Sequence, residues 1–197
     1  MNNYEYIIAS LPVLSADYRG PLDCGAIMEE IASQLSKSDS ACLQTLMDSW
    51  NGDNLTPDFY AKALASRNRF IREYFAWDLG VRNCKVEYLN KALGRPEGQD
   101  VMVLEGASQD EEFEGRAEAM AALGAGDLIK RERALDDLMW DKIDELTLMD
   151  VFTLDVILAF AAKMQIINRW LSLDEQTGRE MFRRLVEEIR NNKKPIE

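Results

Sequence analysis

The sequence predicts an all-α protein, and three observations carry the prediction. Apolar residues recur at helical spacing along most of the chain, as in Leu22, Ile27, Met28, Ile31 and Leu35. Start and stop signals punctuate these runs, clearest at Thr56-Pro57, a cap followed by a first-position proline, and at the stop Asn51-Gly52. One pattern, F-A-x-x-apolar-x-apolar-x-N, occurs twice at matching positions on two long runs: FAWDLGVRN at 75–83 and FAAKMQIIN at 160–168.

Taken in order, YEYIIASLPVLS mixes alternating and adjacent apolar residues and meets Pro12, which leaves a short extended segment and a short helix both open. A helix over 23–37 follows. The next has Asp39 at the N-cap position and Leu43, Leu46, Met47 and Trp50 on one face. From Pro57 a single pattern runs through Phe59, Leu64, Phe70, Tyr74, Trp77, Val81 and Tyr88 to Gly94, with Gly80 as the predicted bend or break. The turn-rich stretch 96–109 reads as a connection, within one all-helical domain over 1–197, between an N-terminal half, 1–95, and a C-terminal half, 110–197. Helices are expected again over 111–123, 127–146 and 153–171, with Gly124-Ala125-Gly126 as a break. Ser172 and Glu175 form a capping box before a last helix to about residue 190, with Phe182, Leu185, Val186 and Ile189 inward. Each half thus holds one long helix bearing one copy of the doubled pattern, a pseudo-repeat.

The 197 residues suffice for a substantial core, and 47% apolar with 29% charged residues is ordinary for a folded protein. Thirty-five acidic against 23 basic residues give a net charge of -12, which disfavours nucleic acid and anionic lipid as partners and favours a basic protein. Cys24, Cys42 and Cys84 are odd in number and form no CxxC pair, as in a reducing compartment. The N-terminal MNNYEYIIASLP has no basic residue before its short apolar run, and no apolar stretch approaches the roughly 20 residues that span a bilayer. The expected location is cytoplasmic, with membrane contact only through partners.

There is no histidine, which removes the commonest general base and metal ligand. Neither G-x-x-x-x-G-K-[ST] nor G-x-S-x-G occurs. Carboxylates remain. Asp137, Asp141 and Asp144 fall on one helical face, joined in principle by Glu114 and Glu118, and this set defines the alternative reading of a Mg²⁺-dependent helical hydrolase. The Glu pairs lack the E-E-x-x-E element such hydrolases use, and Lys130, Arg131, Arg133 and Lys142 interleave with the acids as on a solvated face. Tyr74, Trp77, Phe160, Met164 and Trp170 follow helical spacing and read as core. Trp50, beside Asn51-Gly52, and Trp140, among acids, read as partly exposed positions suited to a partner contact. Asn83 and Asn168 are poor mid-helix choices two turns beyond Phe75 and Phe160, and a buried amide there would clamp or hinge its half.

Three segments, YEYIIASLPVLSADYRGPL, FIREYFAWDLGVRNCKVEYLNKALGRP and FTLDVILAFAAKMQIINRWLSLDEQTGREMFRRLVEEI, together resemble an uncharacterised bacterial family encoded alongside V-type (V/A-type) ATPase subunits. The two long segments are similar in style to the socket subunit of those ATPases, lettered C in the V/A-type enzymes and d in eukaryotes. That resemblance implies an all-helical, non-enzymatic socket without cofactors, seated between the central stalk and the proteolipid ring. It also implies that the doubled pattern is the trace of a repeat architecture, although the socket family has three related units and two copies are visible here. An unrelated helical adaptor is the remaining alternative. No contact residue transfers, because no motif marks the contact surfaces.

Overall fold

A computed structural model describes residues 4–104 and 113–172. The Ser172–Glu175 capping box, the expected last helix and part of the connection lie outside the described residues. Within them the chain is all-helical: eight α-helices and one 3-10 turn, without a strand. The helices are α1 (Glu5–Ser10), α2 (Cys24–Gln34), α3 (Lys37–Asp48), α4 (Pro57–Leu64), α5 (Arg69–Leu93), α6 (Arg116–Leu123), α7 (Leu128–Thr147) and α8 (Leu154–Ser172).

Caps set most of these boundaries. Asp23 accepts from the Ala26 amide at 3.0 Å, Thr56 from Phe59 at 3.2 Å and Asp127 from Lys130 at 3.1 Å. At α3 the cap is Ser36, which accepts from the Asp39 amide at 3.2 Å, and not Asp39 itself. Asp39 lies in the first turn, where its carboxylate receives the Tyr4 hydroxyl. The lead-in resolves as a helix, since Tyr4 and Ile7 are drawn into the core and the Tyr4 amide donates to Phe152 O at 3.1 Å.

The single long helix expected from Pro57 is two helices, and the break lies at residues 65–68, not at Gly80. Asn68 caps α5 by accepting from the Ile71 amide at 2.8 Å, which gives the chain a second start signal where apolar periodicity reads straight through. A continuous helix would set Tyr60 and Phe75 about 22 Å apart along its axis at 1.5 Å per residue. Their ring centroids are 6.4 Å apart, with Phe59 edge-on to Phe75 at 5.0 Å, so α4 folds back along α5. Gly80 sits inside α5 for another reason. A Cβ there would overlap the Phe113 ring, which packs edge-on against Trp77 at 4.9 Å.

Three long helices form the frame. Lys85 meets Glu132 at 3.2 Å and Arg69 meets the Leu146 carbonyl at 2.6 Å, so α5 and α7 run antiparallel. Lys163 meets Asp144 and Arg169 meets Asp136, so α8 returns antiparallel to α7. Gly94, in the left-handed region at φ 64°, ends α5.

The core does not divide at the connection. Its main cluster joins Leu43, Leu46, Tyr60, Phe70 and Phe75 from the first half with Ile143, Leu158 and Phe160 from the second. A smaller cluster joins Val81 and Cys84 of α5 to Ala119, Leu123, Leu135 and Met139. The two copies of the doubled pattern therefore meet around one core. Their phenylalanines are both buried, but their asparagines differ. Asn83 donates to Met102 O at 2.9 Å and accepts from Met102 N at 3.0 Å, whereas Asn168 is exposed.

Candidate functional site

Between the two apolar clusters runs a seam of ionisable side chains around a cleft of roughly 200 Å³. α5 supplies Tyr74 and Asp78, and α7 supplies Asp136 and Met139. Gln165, Ile166 and Arg169 come from α8, while Ser49, Trp50 and Leu55 complete the lining. Helical period explains the placement. Tyr74 and Asp78 are four apart on the α5 face turned towards α7 and α8, and Arg169 stands three residues beyond Ile166 on the matching face of α8.

Each carboxylate in the seam has partners of its own. Tyr60 of α4 donates its hydroxyl to Asp78 at 2.5 Å, and Arg82 faces the same Tyr60 hydroxyl. Arg169 and the Trp170 indole, the latter at 2.6 Å, both donate to one oxygen of Asp136. Arg133 lies over the Trp170 ring at 5.6 Å. Desolvation pushes Asp78 above the usual carboxylate range, opposed by the Tyr60 hydrogen bond and by Arg82 and Lys85. Desolvation likewise raises Asp136, opposed by Arg169 and the Trp170 hydrogen bond. Burial first, and then the two carboxylates, push Tyr74 well above an ordinary phenol.

Such an arrangement can do two things. It pins α4 to α5 and α7 to α8 through directional, charge-assisted bonds, and it favours proton retention on buried carboxyls. Among the residues that line the cleft, neither carboxylate has a histidine or lysine partner poised to relay its proton.

Of the residues singled out in the sequence, Trp50 lines the cleft and the carboxylates fall elsewhere. Asp137 pairs with Arg133 at 3.2 Å and Asp144 with Lys163, while Asp141 is exposed. All three are exposed, and Asp137 and Asp144 are held by separate cations. Among the described residues no group of three or more metal-ligating side chains converges, so the carboxylate set proposed for Mg²⁺ is not assembled. Trp50 is half-buried in the cleft lining, and Trp140 is half-buried beneath Lys163 Nζ, 4.7 Å above its ring. Asn83 and Asn90 clamp the connection instead of a site, Asn90 by donating to the Gln99 carbonyl at 2.6 Å.

Sequence reasoning passed over Asp78, Asp136 and Tyr60. Signals were present: Asp78 interrupts the apolar face of the first doubled stretch, and in Asp136-Asp137 the first of two adjacent acids shares a face with Met139 and Ile143.

Fold and seam together define an all-helical bundle crossed by part-buried polar clamps. The chain belongs to the family described as protein of unknown function DUF2764, which matches residues 49–193. That span includes both copies of the doubled pattern and leaves α1 to α3 ahead of it, apart from the α3 cap residue Ser49. Neither a curated protein nor a solved structure matches the chain. Among the described residues no helix is long and apolar enough to cross a membrane.

Proposed function

We propose that this protein is a non-enzymatic coupling or assembly subunit of a bacterial V/A-type ATPase, a socket between the central stalk and the proteolipid ring. One observation carries the binding role. A bundle clamped by part-buried polar bonds presents large apolar side chains in the turn between α7 and α8, with Leu148 79% and Met149 90% exposed. Contiguous apolar surface on a rigid frame marks a protein interaction site, since leaving it in water is unfavourable. The resemblance to the family encoded with V/A-type ATPase subunits supplies the identity of the complex, and the long, rigid helices suit transmission of force through shape.

The same reading places the chain at the membrane surface by way of its partners. Its test is co-purification. The full chain, tagged and expressed at native level, is recovered from gently solubilised membranes, and the stalk and ring components are expected in stoichiometric amounts. Recovery without any component of the ATPase contradicts the proposal.

A further inference from the structure

The cleft between α5, α7 and α8 holds more hydrogen-bonding capacity than the chain itself uses. Its two carboxylates are not alike. Asp136 has its charge met by Arg169 and by the Trp170 indole. Asp78 receives one hydrogen bond, from Tyr60, and among the described residues no cation lies within ion-pair distance of it. Arg82 and Lys85 act on it from further off, since Arg82 faces the Tyr60 hydroxyl and Lys85 is held by Glu132 at 3.2 Å. Burial keeps the Asp78 carboxyl above its usual range, the response of a desolvated acid without a paired cation.

Two further polar groups line the same space unused. The Tyr74 hydroxyl, one turn before Asp78 on α5, and the Gln165 amide on α8 have no hydrogen-bond partner among the described residues. In Tyr74, a half-buried residue, the hydroxyl is the buried end. A buried polar group left without a partner is costly, so this hydroxyl is better off with one. Together with the second Asp78 oxygen, the two groups offer three acceptors. Trp50, Leu55, Met139 and Ile166 add an aromatic and apolar wall. Trp50, Asp78 and Gln165 are each half-buried, so the cleft opens to solvent.

The chemistry of this set selects among ligands. An anion would face two carboxylates. A divalent metal lacks its ligands, because no three metal-ligating side chains converge among the described residues. A neutral molecule leaves Asp78 without a counter-charge. A primary ammonium brings three N–H donors to three acceptors, a positive charge to Asp78 and to the Trp50 ring, and an apolar stem to the wall. The cleft of roughly 200 Å³ equals the liquid volume of about seven waters, at ~30 Å³ each, and so suits a small ligand.

We infer that the cleft binds a primary alkylammonium group, its nitrogen held by Asp78, Tyr74 and Gln165 and its stem laid against Trp50, Leu55 and Ile166. The site goes beyond the proposed coupling role and does not depend on it. A free small amine and a lysine side chain share this chemistry.

The test titrates the full chain with n-butylammonium chloride, 1-butanol and sodium butyrate, followed by NMR chemical shifts. Butylammonium should bind with a dissociation constant of about 1 mM or tighter, shifting the backbone amides of Tyr74, Asp78 and Gln165, and the alcohol and the anion at least tenfold more weakly. Asp78→Asn, which keeps the acceptor for Tyr60, should weaken butylammonium at least tenfold, and Tyr74→Phe, which removes only the hydroxyl, several-fold. Asp137→Asn removes the same charge one residue from Asp136 but outside the cleft, and should leave binding unchanged. No shift at these amides, equal binding of 1-butanol, or undiminished binding by Asp78→Asn overturns the inference. So does an equal loss in Asp137→Asn, which would make the attraction one of overall charge. A last arm uses N-acetyl-lysine amide: binding as strong as that of butylammonium supports the site with a partner's lysine as its source, and binding of butylammonium alone supports it with a free amine.

Discussion

Asn83 shows how one side chain can order a loop. Its amide meets both the carbonyl and the amide of Met102, mimicking a strand partner for a stretch that has none. Asn83→Leu leaves both backbone groups unpaired in a half-buried place, and should lower unfolding free energy by about 1–3 kcal/mol in a denaturant titration. Asp78 makes a prediction of another kind. Burial raises its carboxyl, so the folded chain holds the proton more tightly than the unfolded chain. That stabilisation is complete below the ordinary carboxylate pKa and is lost as pH rises through the raised one. Asp78→Asn has no proton to lose and can still accept from Tyr60. Its melting temperature relative to wild type should therefore climb as pH rises from about 4 and then level off. A relative melting temperature that fell with pH would contradict the burial account.

Among the elements, α5 shows what was legible in the sequence and what was not. Its apolar period and its glycine end at Gly94 are plain in the sequence, and so are the cap Thr56 of α4 and the approximate start of α7. The break before α5 was hidden because Phe59, Leu64 and Phe70 keep helical spacing across it, and only the cap at Asn68 betrays the turn. Gly80 misled for the opposite reason. Glycine is costly within a helix, so a bend was the natural reading, yet the residue is spent on the close approach of Phe113, a contact made across residues 81–112 that local patterning does not encode. Gly80→Ala separates the two accounts by sign. In an exposed helix interior the change should stabilise by up to about 1 kcal/mol. Here it should destabilise by about 1–3 kcal/mol through overpacking, and thermal or chemical denaturation reads the difference. The seam was illegible in kind, since Asp78 and Asp136 acquire their meaning only when α4 folds back and α8 returns along α7.

At the scale of the molecule, the helical class was readable from period and caps, and the shared core was not. Two copies of one pattern suggested two sub-halves within a single domain. The packing places Phe75 and Phe160 in one cluster and gives their asparagines different surroundings. A bundle whose two halves share a core should unfold as one unit, with coincident transitions by fluorescence and circular dichroism. Rigidity of that kind suits a part that works by position. The measurement that bears most directly on the proposed role compares ATP-driven ion uptake and ATP hydrolysis in membrane vesicles from cells with and without this protein. Loss of ion uptake without it, with hydrolysis by the catalytic head persisting and uptake restored when the protein is supplied, is the predicted result; uptake unchanged in its absence would contradict the account.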